Sequence, residues 1–165
     1  MDCERQPIIL VSGAARPRPE DISAAEEVGR LLAAAGSIVL TGGGTGVMEA
    51  ASRGARAAGG TTLAVLPGSS ARESPPNPEV LIPVYSGMGN GRNAILVRSA
   101  EAVIAIGGGW GTLSEIALAR NLDRPVVLLG SWRISPPDPT LGPMPVQARD
   151  AKEAVERALR AVRNA

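Results

Sequence analysis

The 165-residue sequence contains no histidine and a single lysine, Lys152. Without histidine the chain cannot form a histidine-dependent catalytic triad, a histidine metal site or an imidazole acid–base pair. Lys152 stands in a terminal segment with amphipathic spacing, where a solvated role is expected rather than a Schiff base. Catalytic chemistry would therefore have to come from carboxylates, arginines, hydroxyl groups or backbone amides, and no metal site is expected.

Cysteine and long apolar runs are equally scarce. Cys3 is the only cysteine, which excludes an internal disulfide and indicates a reducing compartment. No apolar run approaches the roughly 20 residues that span a bilayer, and the first seven residues are too polar for a signal peptide. We therefore predict a cytoplasmic protein with no membrane partner. The formal net charge of +1 offers no global electrostatic attraction for nucleic acid, so no nucleic-acid partner is expected.

What the sequence does contain is a regular alternation of short apolar runs and helical periodicity, in a composition that fits one domain over residues 1–165. This alternation predicts an α/β fold with three layers, α/β/α, and a mostly parallel sheet. Residues 80–85 are expected at a sheet margin because Pro83 interrupts them. Residues 68–78 are predicted to be either a mobile loop that covers a site or a plain linker. The strands are predicted at 7–12, 37–41, 61–66, 80–85, 101–106 and 126–129, and the helices at 20–35, 46–58 and 150–162, with two more ending near 98 and 121.

Glycine-rich junctions follow several of these strands. The apolar run 103–106 meets the glycines of 107–111 and then a helix, a pattern typical of a backbone that approaches an anion at a helix N-terminus. A second such junction occupies 42–46, and the first strand ends at Ser12. Because the carboxyl ends of parallel strands meet at one edge of the sheet, these junctions should converge. The predicted phosphate- or nucleotide-binding residues are Ser12, Gly42, Gly43, Gly44, Thr45, Gly46, Gly108, Gly109, Trp110, Gly111 and Thr112.

The two common nucleotide-binding motifs do not fit this pattern. A dinucleotide fingerprint needs Gly-x-Gly-x-x-Gly after the first strand and an acidic residue after the second, and both requirements fail. A P-loop needs glycine followed by lysine, which occurs nowhere in the chain.

The stretch Gly107-Gly-Gly-Trp-Gly-Thr-Leu-Ser-Glu115 resembles Pro-Gly-Gly-x-Gly-Thr-x-x-Glu, the hallmark of the LOG family of cytokinin riboside 5'-monophosphate phosphoribohydrolases. Residues 42–48 resemble the second glycine motif of that family, and Arg92-Asn93 stands where the family has Arg-Lys. Gly107 and Asn93 are the departures. With these two residues the sequence resembles a DprA/Smf-related bacterial branch, which is also similar to the molybdenum cofactor carrier protein of green algae.

This resemblance implies a Rossmann-like fold and a homodimer or homotetramer, with the helix of residues 88–98 near the subunit contact. It implies no required cofactor, but a bound nucleotide, phosphate or molybdenum cofactor. The family is often labelled lysine decarboxylase-like, a label that the scarcity of lysine argues against.

Two hypotheses remain open from the sequence. In the first, Glu115 and Arg92 are catalytic and hydrolyse the N-glycosidic bond of a purine or cytokinin nucleoside 5'-monophosphate to base and ribose 5-phosphate. In the second, the same groove belongs to a non-catalytic carrier of a nucleotide or molybdenum cofactor. A purely structural alternative for Glu115 is a capping-box carboxylate paired with Thr112. The corresponding alternative for Arg92 is a solvated arginine on a helix. Trp110 and Trp132 are candidates either to stack on a base or to pack between subunits.

Overall fold

The computed structural model describes residues 5–138, 140–142 and 144–164, and Cys3 lies outside them. Within these ranges no helix is long and apolar enough to cross a membrane. The strands are β1 Ile8–Gly13, β2 Ile38–Thr41, β3 Thr62–Leu66, β4 Ile82–Tyr85, β5 Ala102–Ile106, β6 Val126–Leu129 and β7 Val146–Ala148. The helices are α1 Pro19–Ala34, α2 Val47–Ala57, α3 Asn93–Ser99, α4 Trp110–Asn121 and α5 Ala151–Arg163, and a 3-10 turn, Gly89–Arg92, precedes α3.

The strands form one sheet in the order β4-β3-β2-β1-β5-β6-β7. Each neighbouring pair is parallel. Every residue of β5 is buried, as expected for a continuous apolar strand of a parallel sheet covered on both faces. The predicted α/β class and Rossmann-like arrangement are confirmed.

The helices cover the sheet as two outer layers. On one face α1, α2 and α5 enclose a core that includes Val11, Val28 and Ala154. On the other face α3 and α4 enclose a second core around Leu96 and Ile116. The three-layer prediction is therefore confirmed.

Two glycines bring α1 and α2 into close contact. A methyl group added at Gly29 would lie 1.9 Å from the carbonyl oxygen of Ala51, and one added at Gly54 would lie 1.8 Å from that of Glu26. These helices therefore meet backbone to backbone, at positions where a side chain would force them apart.

The two edges of the sheet compare differently with the sequence prediction. β4 begins at Ile82 and forms one edge, in agreement with the expected effect of Pro83. β7 at the other edge was not predicted, since its three residues are exposed or half-buried and carry no recognisable apolar pattern. The loop 68–78 is anchored, because Asn77 donates its backbone N–H to Gly43 O at 2.9 Å and its side-chain amide to Gly44 O at 2.8 Å.

The order of the strands reverses between β1 and β5. From β1 the chain builds outwards through β2, β3 and β4, and it then returns to β5 on the other side of β1. In open α/β sheets ligands bind at the carboxyl ends of the strands where such a reversal opens a crevice. Here that point lies between Gly13 and Ile106, which are partners in the β1–β5 register.

Candidate functional site

A cavity of about 170 Å³ opens beside the strand reversal, and we call it the Glu115 cavity. It brings together the end of β1, the first glycine of the 42–46 motif, the 3-10 turn and the start of α4. Six of the predicted site residues line it: Ser12, Gly42, Arg92, Gly111, Thr112 and Glu115.

Glu115 is held between a hydroxyl group and a guanidinium group. The Ser12 hydroxyl donates a hydrogen bond to Glu115 Oε2, and Arg92 Nη1 lies 4.0 Å from Glu115 Oε1. The side chain of Glu115 is only 11% exposed. Burial raises the pKa of Glu115, and the Ser12 hydrogen bond and the charge of Arg92 oppose that shift.

The capping alternative for Glu115 is wrong. Helix α4 begins at Trp110 with Gly109 as its N-cap, and its first turn contains no acidic residue. Thr112, predicted as the cap, lies inside the first helical turn instead. The extended backbone of Gly109 starts the helix three residues earlier than the capping-box pattern predicted, which moves Glu115 into the second turn.

Arg92 is not a solvated arginine, since its side chain is 15% exposed. Its guanidinium donates to Asn93 Oδ1. Asn93 Nδ2 in turn donates to Ser114 Oγ at 3.0 Å, and Ser114 Oγ donates to Gly111 O at 2.7 Å. This chain of bonds ties the arginine to helix α4. Burial lowers the pKa of Arg92 while Glu115 opposes the shift, and an arginine remains protonated at neutral pH.

In the sequence, Asn93 stands out only as a departure from the family pattern, and Ser114 carries no signal of its own. Asn93 is buried, and it orients Arg92 where the family has a lysine. The one signal in the sequence is an amide side chain directly after the arginine, since an amide can accept a hydrogen bond from a guanidinium where a lysine cannot.

The start of α4 presents free amide groups to the site. Among the described residues, no hydrogen bond is donated by the backbone N–H groups of 109–112, as expected for the first turn of a helix. Gly108 adopts a φ of +107°, a conformation that a side chain would strain. A methyl group added at Gly109 or Gly111 would meet nothing within 4 Å, so packing does not require glycine at these two positions. The bare backbone leaves room for an anion at the positive end of the helix dipole.

The second glycine motif is packed more tightly. A methyl group at Gly42 would lie 2.9 Å from Arg92 Nη2, so this glycine allows the guanidinium to lie across the loop. Gly43 and Gly46 have positive φ values of +78° and +69°, and Val47 N donates to Ala14 O at 3.1 Å. The motif thus has intramolecular reasons for its glycines. The predicted phosphate contacts of Gly43, Gly44, Thr45 and Gly46 stay predictions.

The two tryptophans lie together at the rim. Their ring centroids are 5.2 Å apart and tilted by 41°, and Trp132 Nε1 donates to Gly109 O at 3.3 Å. Trp110 is 78% exposed. An aromatic surface therefore stands immediately beside the glycine-lined start of α4.

The model of the SLOG cluster4 family matches residues 6–159. The chain belongs to this family. An uncharacterized protein of Archaeoglobus fulgidus is 40% identical over 129 residues, covering 74% of this chain and 83% of its own length. The resemblance of the sequence to the LOG family and its DprA/Smf relatives is therefore confirmed by the match to this family model.

Two solved structures are similar along nearly the whole chain of this SLOG cluster4 protein. The molybdenum cofactor binding protein of Rippkaea orientalis is 37% identical with a TM-score of 0.83, covering 93% of this chain and 95% of that chain. The molybdenum cofactor carrier protein of Chlamydomonas reinhardtii is 36% identical with a TM-score of 0.84, covering 98% and 100%. Both are described by the cofactor they bind or carry.

The prediction that excluded a nucleic-acid partner is wrong. A structure of DNA processing protein A from Helicobacter pylori, described by its single-stranded DNA binding mode, has a TM-score of 0.69 and 18% identity, covering 93% of this chain and 80% of that chain. At this identity the likeness shows the fold alone. Since the same fold serves a protein that binds single-stranded DNA, a net charge of +1 is no ground for excluding such a partner.

Proposed function

We propose that this SLOG cluster4 protein binds and carries a phosphorylated heterocyclic ligand, the molybdenum cofactor, without cleaving it. The observation that carries the proposal is the 36–37% identity to two molybdenum cofactor binding or carrier proteins along at least 93% of the chain.

The geometry supports phosphate binding at the start of α4. The amides of 109–112 have free N–H groups, and Gly109 and Gly111 leave space for an anion to reach them. The phosphate of a pterin or of a nucleotide has the charge and the acceptor oxygens that such a helix start favours. The exposed face of Trp110 beside it suits a flat ring.

The contacts of the Glu115 carboxylate favour a carrier over a hydrolase. Stabilising an oxocarbenium-like transition state requires an ionised carboxylate directed at the sugar. Glu115 accepts the Ser12 hydroxyl at Oε2 and faces Arg92 at Oε1. Both carboxylate oxygens therefore already have partners within the protein.

The second candidate function is hydrolysis of a nucleoside 5'-monophosphate to base and ribose 5-phosphate. The observation that favours it is the pairing of Arg92 with Glu115 in the cavity that Gly111 and Thr112 also line. In that mechanism Glu115 would stabilise the developing positive charge on the ribose while Arg92 meets the phosphate or the leaving base.

The two functions are separated by scoring binding and cleavage independently. The purified protein is incubated with molybdenum cofactor released from a molybdoenzyme and with a panel of purine nucleoside monophosphates. We expect retention of the cofactor through gel filtration and no free base above the blank. Base release that disappears in Glu115→Gln, but persists in the exposed-carboxylate control Glu156→Gln, would instead establish the hydrolase; loss of cofactor retention without base release would refute the carrier.

A further inference from the structure

A second cavity is lined in part by Gly107 and Gly108, and we call it the arginine cavity. It measures about 360 Å³. Its walls come from the loops that follow β1, β5 and β6, and its lining includes Arg16, Arg18, Asp21, Gly108 and Trp132. In the sequence, Arg16 and Arg18 stand in the small-residue turn that follows the first strand, where contact with a phosphate is a possible role.

The two cavities adjoin along two stretches of backbone. Gly13 lines the Glu115 cavity and Ala14 lines the arginine cavity. On the facing loop Gly108 lines the arginine cavity, while Gly111 and Thr112 line the Glu115 cavity. A ligand bound to the free amides at the start of α4 therefore has an open neighbour on each side.

The sizes of the cavities decide where the rings of such a ligand lie. Pockets for small molecules usually measure about 300–1,000 Å³. The Glu115 cavity, at about 170 Å³, is too small to hold a phosphorylated ring system alone. The arginine cavity is large enough to hold the ring system that the Glu115 cavity cannot, and Trp132 forms an aromatic part of its wall.

The charges of the arginine cavity leave one cation without a protein partner. Arg18 Nη2 lies 2.7 Å from Asp21 Oδ1, and Arg18 Nε donates to Asp21 Oδ2 at 3.0 Å, so these two charges compensate each other. Arg16 is exposed, and no ion pair or hydrogen bond from its guanidinium occurs within the described ranges 5–138, 140–142 and 144–164. Arg18 also lies 3.5 Å from Glu20 Oε1, so Arg16 is the one cation lining the cavity that has no ion pair within these described ranges.

We propose that the arginine cavity is a second anion subsite, so that the protein selects heterocyclic ligands that are negatively charged at both ends. The inference rests on the proposed binding function. The phosphate meets the amides of 109–112, the ring lies over the Gly108–Gly109 backbone against Trp132, and Arg16 meets the anionic group at the far end of the ring. A nucleoside monophosphate with a neutral base gains nothing from Arg16.

The test compares xanthosine and guanosine 5'-monophosphates, which have the same ring size but differ in charge, because the xanthine ring is anionic near neutral pH. Their affinities are measured by calorimetry for the wild type, for Arg16→Gln, and for Arg56→Gln as a control. Arg56 is an exposed arginine in the last turn of α2, away from the carboxyl ends of the strands. We expect the wild type and the control to prefer the xanthine nucleotide by about tenfold, the gain typical of a charge-assisted hydrogen bond. In Arg16→Gln we expect that preference to disappear while affinity for the guanine nucleotide is unchanged.

The same variants are tested with molybdenum cofactor, which separates failure of this inference from failure of the proposed function. Equal cofactor retention by the wild type and Arg16→Gln, or equal affinity of the wild type for the two nucleotides, would overturn the second subsite and leave the carrier function intact. A wild-type protein that retains neither the cofactor nor a nucleotide would overturn both.

Discussion

At the scale of the residue, the protein keeps a carboxylate in a mostly buried position with two partners of unequal strength. The Ser12 hydroxyl donates directly to Glu115, whereas Arg92 stands 4.0 Å away and is tied to Asn93. Burial therefore outweighs the two favourable contacts, and the pKa of Glu115 rises from its ordinary value of 4.5. A buried carboxylate with such a raised pKa makes folding stability depend on pH.

The first prediction concerns this pH dependence. Below pH 4.5 Glu115 is protonated in the folded and the unfolded chain, so its full contribution to stability is present. As the pH rises through 4.5 and then through the higher folded pKa, the unfolded chain ionises first, and that contribution is lost. We expect the free energy of unfolding of the wild type, relative to Glu115→Gln, to fall across this window and then level off. Urea unfolding of both proteins at a series of pH values measures the difference.

Ser12→Ala provides the companion variant for this measurement. The lost hydrogen bond removes a contact that lowers the pKa of Glu115, so the window should extend to higher pH. A stability difference between wild type and Glu115→Gln that stays constant with pH would contradict a raised pKa for Glu115 in the folded protein.

At the scale of the element, helix α4 owes its role to the way it begins. Gly108 is required by its backbone conformation, because its φ is +107° and an added methyl group would lie 2.5 Å from Thr112 Cβ. Gly109 and Gly111 face open space. The start of α4 therefore contains glycines of two kinds. Gly108 shapes the turn, whereas Gly109 and Gly111 leave the backbone amides accessible.

Gly111→Ala separates the two kinds of glycine. Alanine in the first turn of α4 should leave the protein as stable as the wild type, or more stable by about 0.5–1 kcal/mol, because alanine favours the helix. The added methyl group should nevertheless weaken phosphate binding by about tenfold, since it occupies the approach to the amides. Thermal unfolding and calorimetry with inorganic phosphate measure the two effects.

Gly91→Ala is the matched control for Gly111→Ala. Its added methyl group would meet only the Met88 side chain, at 3.8 Å. Gly91 lines the same surface groove as Gly111, but it belongs to the 3-10 turn and carries none of the α4 amides. Phosphate affinity should be unchanged in this variant. Unchanged phosphate affinity in Gly111→Ala as well would contradict the assignment of the α4 start as the anion site.

At the scale of the whole molecule, the sheet connects distant parts of the chain. β1 pairs with β2 and with β5, and α5 at the end of the chain packs on α1, β5 and β6. Because the order of the strands reverses between β1 and β5, the site is built from loops that are far apart in sequence. We propose on this basis that residues 1–165 fold as one domain.

Cooperative unfolding tests that proposal. If the chain is one domain, tryptophan fluorescence, which reports on the rim of the site, and far-ultraviolet circular dichroism, which reports on all helices, should give the same denaturation midpoint. The shared sheet gives the physical reason, since α5 cannot leave α1 and β5 without exposing their apolar contacts. Separate midpoints for the two signals would show that part of the chain unfolds independently.

The sequence alone determined the class of the fold and which strand ends lie at one edge of the sheet. Helical and strand periodicity are local properties, so the five helices and six of the seven strands of the described residues could be predicted. Parallel strands then oblige their glycine-rich ends to meet at one edge. The family motif further pointed to Glu115 and Arg92. β7 was missed because three largely exposed residues carry no such local pattern.

Only the tertiary structure decided what the individual residues do. The start of α4 depends on the backbone angles of Gly109, which a capping pattern in the sequence does not reveal. The contact of Ser12 with Glu115 joins positions 103 residues apart, and the arginine cavity joins three loops from different strands. Burial, hydrogen-bond partners and cavity size arise from these distant juxtapositions, and so they emerge only when the chain is folded.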